Sequence, residues 1–364
     1  MKRILILANN DVSLYKFRKE LIQELLKKHK VFISLPDGEL VQELIQMGCQ
    51  FIDTPVDRRG INPMTDLQLL KRYRQILRTI KPDLVITYTI KPNIYGGLVA
   101  RSMGIAYAIN ITGLGTAFQN DNFIRKLVCF LYKKACKKAK VVFFENQGNR
   151  DLFHQFRLIQ ADQACTLNGA GVNLNEYSFA PYPQEQKNIR FLFIGRVMKE
   201  KGIDELLTAA RRIKNENQQI AFDIVGPMED DYKQTIDSAV NDGIIHYYGF
   251  QSDVKPFIRR CHCFVLPSYH EGMANTLLES AAMGRPLITS NIHGCMEAVS
   301  GNGYTCSTKD ADDLYDKLNR FIKLSHQEKV QLGLRSRKHM EQVFDKKKVV
   351  RQTIQKLQLL EEDR

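Results

Sequence analysis

The sequence of 364 residues lacks any apolar run that approaches the roughly 18 to 20 residues required to span a bilayer. Its first apolar run, residues 4–8, follows Met1, Lys2 and Arg3 directly and is too short for a secretory signal peptide. We therefore expect a cytoplasmic protein. The eight cysteines are scattered along the chain, so that a disulfide framework is not expected either.

Metal-binding motifs are also scarce. Cys261, His262 and Cys263 form the one cluster that suggests zinc, but a zinc site needs about four ligands and no second Cys or His pair accompanies them. We interpret this cluster as the start of a buried strand. Asp310 and Asp312 have the Asp-x-Asp form that metal-dependent enzymes use, yet they open a helical stretch and are predicted to cap it. We expect no catalytic metal and no cofactor.

The net charge of +13 is distributed unevenly. Residues 1–180 carry 26 basic and 15 acidic side chains, a net charge of +11, whereas residues 181–364 carry 27 and 25. The densest stretch, residues 125–140, has seven basic residues, no acidic ones and apolar residues between them. Such a stretch is either a solvated helix face or a surface that lies on an anionic membrane. Both interpretations stay open, and the second predicts peripheral association with the inner face of the cell membrane.

Short β-branched or aliphatic runs alternate with amphipathic stretches of helical length, which is typical of parallel sheets covered by helices. The predicted strands are residues 3–8, 31–35, 51–54, 84–88, 106–111, 141–145, 189–194, 221–225, 244–248, 263–267 and 286–290. A chain of this length exceeds one usual hydrophobic core, and prolines at 181 and 183 interrupt regular structure between the halves.

The predicted fold class is therefore α/β, with two Rossmann-like domains. The domains are residues 1–180 and 181–345, and a C-terminal helix, 346–364, is expected to pack back toward the first domain. Doubly wound sheets bind ligands at the carboxyl ends of their strands. We therefore expect the active site in a cleft where two parallel sheets face each other.

The strongest local signal follows the predicted strand at residues 189–194. Gly195 and Arg196 end this strand, and Lys201 stands five residues later, before a predicted helix. A glycine lets the backbone approach a ligand, and an Arg and a Lys on one strand-to-helix loop can converge on a diphosphate. The alternative is that the lysines of this loop are solvated charges.

The second signal is a pair of carboxylates eight residues apart, Glu271 and Glu279. Glu271 is expected in a loop, and Glu279 in an apolar helix that begins near Ala274. The backbone N–H groups of residues 272–274 are expected to point into the cleft, as at a helix N-terminus. Because carboxylates accept hydrogen bonds from vicinal hydroxyls, one could bind a ribose and the other a second sugar.

Three blocks of residues carry a family resemblance: Gly195-Arg196 with Lys201-Gly202, Glu271 with Glu279, and Gly284-Arg285-Pro286. Together they resemble the retaining glycosyltransferases of family 4, which have the GT-B fold. The resemblance implies that Arg196, Lys201 and Glu271 are catalytic. The donor-binding residues that it implies are Gly195, Gly226, Phe250, Val254, Gly272, Met273, Ala274, Asn275 and Glu279. Among these, Glu279 binds ribose hydroxyls, and the loop containing Phe250 stacks beside the base.

The N-terminal half further resembles bacterial members that extend undecaprenyl-diphosphate-linked sugars. These include N-acetylgalactosaminyltransferases acting on lipid-linked diacetylbacillosamine, and capsule and exopolysaccharide enzymes. The motifs concerned are Ser13 to Arg18, Asn62-Pro63, Lys91-Pro92-Asn93 and Gly113-Leu114-Gly115-Thr116. The acceptor-binding residues that this resemblance implies are Asn10, Arg18, Arg59, Lys91, Thr112 and Gly113. The basic members of this set also have an alternative interpretation as surface charges.

One departure from the family pattern lies at residues 110–116, where many members carry a histidine and this sequence has none. No general base is then evident on that loop. For such retaining enzymes, the resemblance implies that the departing phosphate accepts the acceptor's proton. Stabilising that leaving group is then the work of Arg196, Lys201 and a helix N-terminus.

We predict a retaining, metal-independent transferase that moves a hexose or N-acetylhexosamine, GalNAc by first choice. The donor is a UDP-sugar and the acceptor a polyprenyl-diphosphate-linked saccharide. Two alternatives stay open. A GT-B epimerase would release free product without an acceptor. A nucleic-acid-binding protein would account for the basic charge, but would leave Glu271 and Glu279 unexplained.

Overall fold

A computed structural model describes residues 1–57, 62–114, 118, 123–184, 188–229 and 232–359. The chain divides into two compact units, Met1–Ala170 with Lys347–Arg364, and Gly171–Lys346. The first boundary lies earlier than the predicted one after residue 180. The reason is that Val172 and Ala180 are buried in the hydrophobic core of the second unit.

The first unit is a parallel sheet with the strand order β3-β2-β1-β4-β5-β6-β7. Its strands are β1 Arg3–Leu7, β2 Lys30–Leu35, β3 Gln50–Asp53, β4 Leu84–Tyr88, β5 Tyr107–Ile111, β6 Val141–Phe144 and β7 Ala164–Thr166. Its helices are α1 Asp11–Leu26, α2 Val41–Gln46, α3 Pro63–Ile80, α4 Gly97–Ser102, α5 Phe123–Cys136 and α6 Gln147–Gln155. Apolar side chains from alternate positions of the strands enter two cores, one on each face of the sheet.

The second unit is also a parallel sheet, with the order β10-β9-β8-β11-β12-β13. Its strands are β8 Arg190–Ile194, β9 Ala221–Val225, β10 His246–Tyr247, β11 Cys263–Leu266, β12 Leu287–Ser290 and β13 Gly303–Cys306. Its helices are α7 Ile203–Glu216, α8 Lys233–Asn241, α9 Lys255–Arg260, α10 Asn275–Ala282, α11 Ala311–Ile322 and α12 His326–His339. The prediction of two parallel-sheet Rossmann-like folds is confirmed.

The last helix, α13 Lys346–Lys356, returns the chain to the first unit. Val349 and Val350 are buried there in the core that also contains residues of β1. No helix within the described ranges is long and apolar enough to cross a membrane.

Two edge strands were not predicted. β7 pairs with β6, and β13 pairs with β12, each at one end of its sheet. Their sequences, Ala-Cys-Thr and Gly-Tyr-Thr-Cys, are short and lack an apolar run. Edge strands need apolar side chains less than central strands do, because neighbours cover them less.

Each sheet has one point at which the strand order reverses. The chain proceeds outward from β8 through β9 and β10, and then returns to place β11 on the other side of β8. In the first unit the corresponding reversal lies between β1 and β4. Loops that leave the carboxyl ends of two such strands diverge in opposite directions, and the resulting crevice is the usual ligand site of this architecture.

Arg285 of the resemblance block is a structural residue. It is fully buried, and its guanidinium donates to the backbone carbonyls of Ile258, Ala180, Gly284, Pro181 and Arg259. These hydrogen bonds connect the segment after the unit boundary to α9 and to the turn before β12.

We expect Arg285→Met to lower the free energy of unfolding by about 3 kcal/mol or more, because several buried carbonyls lose their donor. Urea denaturation followed by circular dichroism measures this change. Arg259→Met is the matched control, because the Arg259 side chain is exposed, and it should change stability by less than about 0.5 kcal/mol. Equal effects of the two substitutions would contradict the structural role of Arg285.

Candidate functional site

The candidate site of the second unit lies at the carboxyl ends of β8 and β11, where the strand order reverses. Gly195 to Gly202 follow β8, and Pro267 to Ala274 follow β11 and lead into α10. We call these two loops, together with the loops after β9, β10 and β12, the second-unit rim. Both motifs that the sequence singled out in this half therefore lie on neighbouring strands.

The two central loops are in direct backbone contact. Gly202 has a φ of +71°, and a Cβ atom there would lie 2.1 Å from the carbonyl oxygen of Pro267. Only glycine fits both the left-handed backbone and the close approach. The N–H group of Tyr269 donates to the carbonyl of Glu200 at 2.8 Å. The turn before α7 is thus held against the loop after β11.

An ion pair joins the same two loops. The ammonium group of Lys201 donates to the carboxylate of Glu271. The side chains are 18% and 12% exposed, so solvent screens the pair only in part. Beneath them, burial raises the pKa of the Cys295 thiol, and the nearby Glu271 carboxylate raises it further. The structure therefore brings together two of the three predicted catalytic residues.

Arg196, the third, is more exposed than the other two. Its guanidinium donates to the carboxylate of Glu229 at 2.9 Å, and its side chain is 46% exposed. The loop after β9 packs against the backbone next to Arg196. Gly226 has a φ of +140°, and a Cβ atom there would lie 1.9 Å from the carbonyl oxygen of Gly195. Two of the three glycines of the predicted donor site, Gly195 and Gly226, therefore pack backbone against backbone.

The helix after Glu271 begins at Asn275, with Ala274 at its N-cap position. Met273 and Ala274 have buried side chains. The prediction that the N–H group of Ala274 points toward a ligand is wrong. That group donates to the carbonyl of Gly294 at 2.8 Å, because the loop after β12 passes directly beside it. At this N-cap position, no side-chain hydrogen bond caps the start of α10 within the described part of the chain.

Glu279 lies one turn into α10 and has a partner that sequence reasoning missed. The hydroxyl group of Tyr177 forms a hydrogen bond with the Glu279 carboxylate. Burial raises the pKa of Tyr177, and the carboxylates of Glu279 and Glu176 raise it further. Tyr177 stands in the segment that follows the unit boundary, where no periodic pattern distinguished it.

Phe250 and Val254 lie on the loop between β10 and α9. The Phe250 side chain is 66% exposed, and Val254 is half-buried at the N-cap position of α9. The neighbouring Gly249 accepts a hydrogen bond from the N–H group of Gly226 at 2.8 Å. The predicted base-stacking loop is therefore attached to the loop after β9 and presents an aromatic ring.

The two suspected metal motifs are structural, as predicted. Cys261, His262 and Cys263 are buried at the start of β11. The N–H group of Arg190 donates to His262 Nδ1 at 3.1 Å, and burial with nearby cations lowers the pKa of His262 to about 4. Asp310 caps α11 and accepts from the N–H group of Asp313 at 2.9 Å.

Within the part of the chain that the structure describes, no three His, Cys, Asp or Glu side chains are grouped to hold a metal ion. Metal independence of the reaction stays a prediction. At the second-unit rim, Lys201 and Arg196 supply positive charge from the protein itself.

In the first unit, two of the predicted residues lie near the reversal between β1 and β4. Asn10 caps α1, and its Oδ1 accepts from the N–H group of Ser13 at 2.7 Å. The Arg18 guanidinium pairs with Glu145, which follows β6, and stacks over the ring of Tyr88 with its carbon 5.0 Å from the centroid. The Arg18 side chain is 11% exposed, so it is a partly buried cation with a carboxylate partner.

Lys91 follows β4 and has a similar arrangement. Its ammonium group lies 2.7 Å from Asp66 Oδ1, and both side chains are about one-seventh exposed, at 14% and 15%. The preceding Thr89 has a φ of 71°, a backbone conformation that a β-branched residue rarely adopts. Strain of this kind is frequent at functional sites, so Thr89 joins the candidates that the sequence did not reveal.

Thr112 and Gly113 follow β5 and are half-buried. Beneath them, Asn93 Nδ2 donates to the carbonyl of Asn110 at 2.8 Å, and Thr87 Oγ1 donates to Asn93 Oδ1 at 2.7 Å. Arg59 lies outside the described residues. The assignment of these residues to an acceptor stays a prediction.

Two family models match the chain. The model described as glycosyl transferases group 1 matches residues 176–339. The model described as glycosyl transferase 4-like matches residues 3–146. Together, the two matched ranges include the strand-order reversal of each unit.

Relatives and solved structures extend over the same length. The N,N'-diacetylbacillosaminyl-diphospho-undecaprenol alpha-1,3-N-acetylgalactosaminyltransferase of Campylobacter jejuni is 29% identical over 352 residues, covering 91% of this chain and 92% of the relative. The capsular polysaccharide biosynthesis glycosyltransferase CapM of Staphylococcus aureus is 22% identical over 361 residues, covering 93% and 92%. Anabaena HepE, solved in complex with UDP and glucose, has a TM-score of 0.82 at 17% identity, covering 99% of this chain and 100% of that chain.

We expect a double-mutant cycle of Lys201→Met and Glu271→Gln to give a coupling free energy of about 1–3 kcal/mol, because the pair is largely buried. Urea denaturation of the single and double variants measures it. The matched comparison is the cycle of Arg196→Met and Glu229→Gln, a more exposed pair, which should give less than about 1 kcal/mol. A coupling of zero for the first pair would show that it does not hold the loops together.

Proposed function

The chain belongs to the group 1 and 4-like glycosyltransferases of the GT-B fold, and we propose that it transfers a sugar from a UDP-sugar to a polyprenyl-diphosphate-linked saccharide. The observation that carries this proposal is the second-unit rim. There Lys201, Glu271 and the start of α10 meet at the strand-order reversal, and Glu279 follows one turn later. A cation, two carboxylates and a helix N-terminus match the charges and hydroxyls of a nucleotide sugar.

The proposed donor and acceptor rest on the relatives. The Campylobacter enzyme is named for N-acetylgalactosamine transfer to a diphospho-undecaprenol saccharide, and HepE was solved with UDP. These names support UDP-GalNAc as the donor and a lipid-linked saccharide as the acceptor. CapM is named for capsular polysaccharide biosynthesis, which supports a place for this chain in the synthesis of a bacterial surface glycan.

The ion pair at the second-unit rim gives the donor diphosphate a defined way to bind. Lys201 is held by Glu271, and an entering phosphate replaces that carboxylate as the partner of the ammonium group. Glu271 then accepts hydrogen bonds from hydroxyls of the donor sugar. Arg196 is exposed enough to move from Glu229 to the diphosphate. Charge that develops on the leaving phosphate is stabilised by groups already in position.

Glu279 binds the ribose in this proposal. A carboxylate has about four acceptor positions, so the hydrogen bond from Tyr177 leaves capacity for both ribose hydroxyls. The Tyr177 hydroxyl fixes the rotamer of the carboxylate before the nucleotide arrives. Phe250, exposed on the neighbouring loop, supplies a surface for the uracil ring.

The acceptor belongs to the first unit in this proposal. Arg18 and Lys91, together with Arg59, bind its diphosphate, and Asn10, Thr112 and Gly113 line the same edge of the sheet. Both Arg18 and Lys91 are paired with carboxylates, so the acceptor phosphates compete for them. Retention of the anomeric configuration and independence of metal are parts of the proposal that the family resemblance supports.

The two alternatives gain no support. The relatives described above are named as transferases, and an epimerase is not favoured. A nucleic-acid-binding protein would not require the carboxylates Glu271 and Glu279.

We expect Glu279→Gln to weaken UDP binding about ten-fold or more, because charged acceptors form stronger hydrogen bonds with hydroxyls than neutral ones. Isothermal titration calorimetry with UDP measures the change. Glu216→Gln is the matched control, because Glu216 also lies on a helix of the second unit and accepts from a tyrosine, Tyr315, at 2.6 Å. It should leave UDP affinity unchanged. Unaltered affinity in a folded Glu279→Gln variant would count against the proposed donor site.

We expect UDP release from UDP-GalNAc to depend on a diacetylbacillosamine-diphospho-undecaprenol acceptor. The reaction should persist in the presence of a chelator, because Lys201 and Arg196 supply the positive charge. Product mass, and the anomeric coupling constant in the NMR spectrum, identify the new linkage. A panel of other UDP-sugars serves as the control for the donor. Release of a free monosaccharide without any acceptor would favour the epimerase, and failure after chelation would contradict metal independence.

A further inference from the structure

Helix α5, Phe123–Cys136, exposes large apolar side chains. Phe123 is 78% exposed, Leu127 39% and Phe130 56%. These positions are spaced by four and three residues, so they share one face of the helix. Of the four exposed phenylalanines among the described residues, two lie on this helix. A solvated helix face, which was one of the two interpretations of this segment, does not require such residues.

The orientation of this face is fixed by the opposite side of the helix. Tyr132 is fully buried, and its ring meets that of Phe153 edge to face at a centroid distance of 5.1 Å. The hydroxyl of Tyr107 donates to the carbonyl of Ala135 at 2.6 Å. Arg101 donates to the carbonyl of Lys134 at 2.6 Å. The helix therefore cannot turn its apolar face inward without breaking these contacts.

Lysines border the apolar face. At about 100° per residue, Lys126 and Lys133 lie along one flank of the Phe123–Leu127–Phe130 row. Lys134 lies at the C-terminal end of the row, and Lys137 and Lys138 follow the last residue of α5. All five are exposed. The Lys134 ammonium group lies 5.4 Å from the centre of the Phe130 ring. No acidic residue occurs between positions 123 and 140.

We propose that this face of α5, defined by Phe123, Leu127 and Phe130 with the flanking lysines, inserts into the headgroup region of an anionic lipid bilayer. The aromatic and leucine side chains enter the acyl boundary, while the lysine stems lie along it and keep their ammonium groups at the phosphates. Nucleic acid fits less well, because it offers no apolar layer for the central row. A second copy fits less well, because two such faces would bring like charges together.

Bilayer binding of this kind is separate from the proposed chemistry, since the donor residues all lie in the second unit. It places the enzyme at the surface where a lipid-linked saccharide is found. The apolar row adds binding that salt cannot screen, whereas the lysine contribution falls as ionic strength rises. Both contributions are needed for stable association.

The test is sedimentation of the full-length chain with vesicles of phosphatidylcholine alone, or mixed equally with phosphatidylglycerol. The wild-type chain should bind the anionic vesicles. Phe130→Ser should weaken the partition coefficient about ten-fold, and Leu127→Ser about five-fold. Leu334→Ser is the matched control, because Leu334 is a helical leucine of similar exposure, 44%, in the second unit. It should bind as the wild type does.

The charge is tested in the same way. Lys133→Gln should weaken binding to anionic vesicles about five-fold. Lys71→Gln, which changes an exposed lysine of α3, should not.

Absence of wild-type binding, or equal losses in Leu127→Ser and Leu334→Ser, would overturn the proposal. An unchanged partition coefficient of Phe130→Ser would also overturn it if light scattering showed that this substitution dissociates a dimer. The face would then be assigned to a second copy. Tight binding to duplex DNA without vesicle binding would overturn it as well. Circular dichroism confirms that each variant is folded. Because the vesicles carry no sugar and UDP affinity is measured separately, failure here leaves the proposed function untouched.

Discussion

The contact between the backbone of Gly202 and the carbonyl of Pro267 sets the separation of the two loops on which the candidate site depends. A Cβ atom at position 202 would lie 2.1 Å from that carbonyl oxygen, so any larger residue would force the two loops apart. At the shorter separation, the Lys201 ammonium group reaches the Glu271 carboxylate. A steric constraint on one glycine thus becomes an electrostatic arrangement, and in the proposed function that arrangement binds a diphosphate and sugar hydroxyls.

A second constraint applies to the charged groups of both units. Among the described residues, the cations assigned to phosphates are paired with carboxylates of the chain, such as Arg18 with Glu145 in the first unit. A partly buried cation is costly without a partner, and the partner also holds its side chain in a defined rotamer. In the proposed function, substrate binding exchanges one anion for another. A ligand with phosphates in the correct positions would then compensate for the displaced carboxylates.

Much of the fold could be predicted because parallel sheets require buried, nearly continuous apolar strands. Strands such as β1 and β11, buried in the centre of their sheets, stand out in the sequence. β7 and β13 did not, since edge strands need little apolar surface. The unit boundary was also placed too late. The segment from Val172 to Ala180 has no regular structure of its own and joins the second unit only through tertiary packing.

The sequence by itself determined which residue types stand at the carboxyl ends of the strands, because motif spacing is local and the strand-to-helix connections are short. Gly195, Lys201 and Glu271 could be recognised in this way. Only the tertiary structure decided how these groups are used. Hydrogen bonds such as those of Arg285 to the carbonyls of distant loops, and of Tyr177 to Glu279, join residues about a hundred positions apart. Burial likewise decided that Phe130 faces outward, since a helical pattern gives the faces of α5 but not which of them the sheet covers.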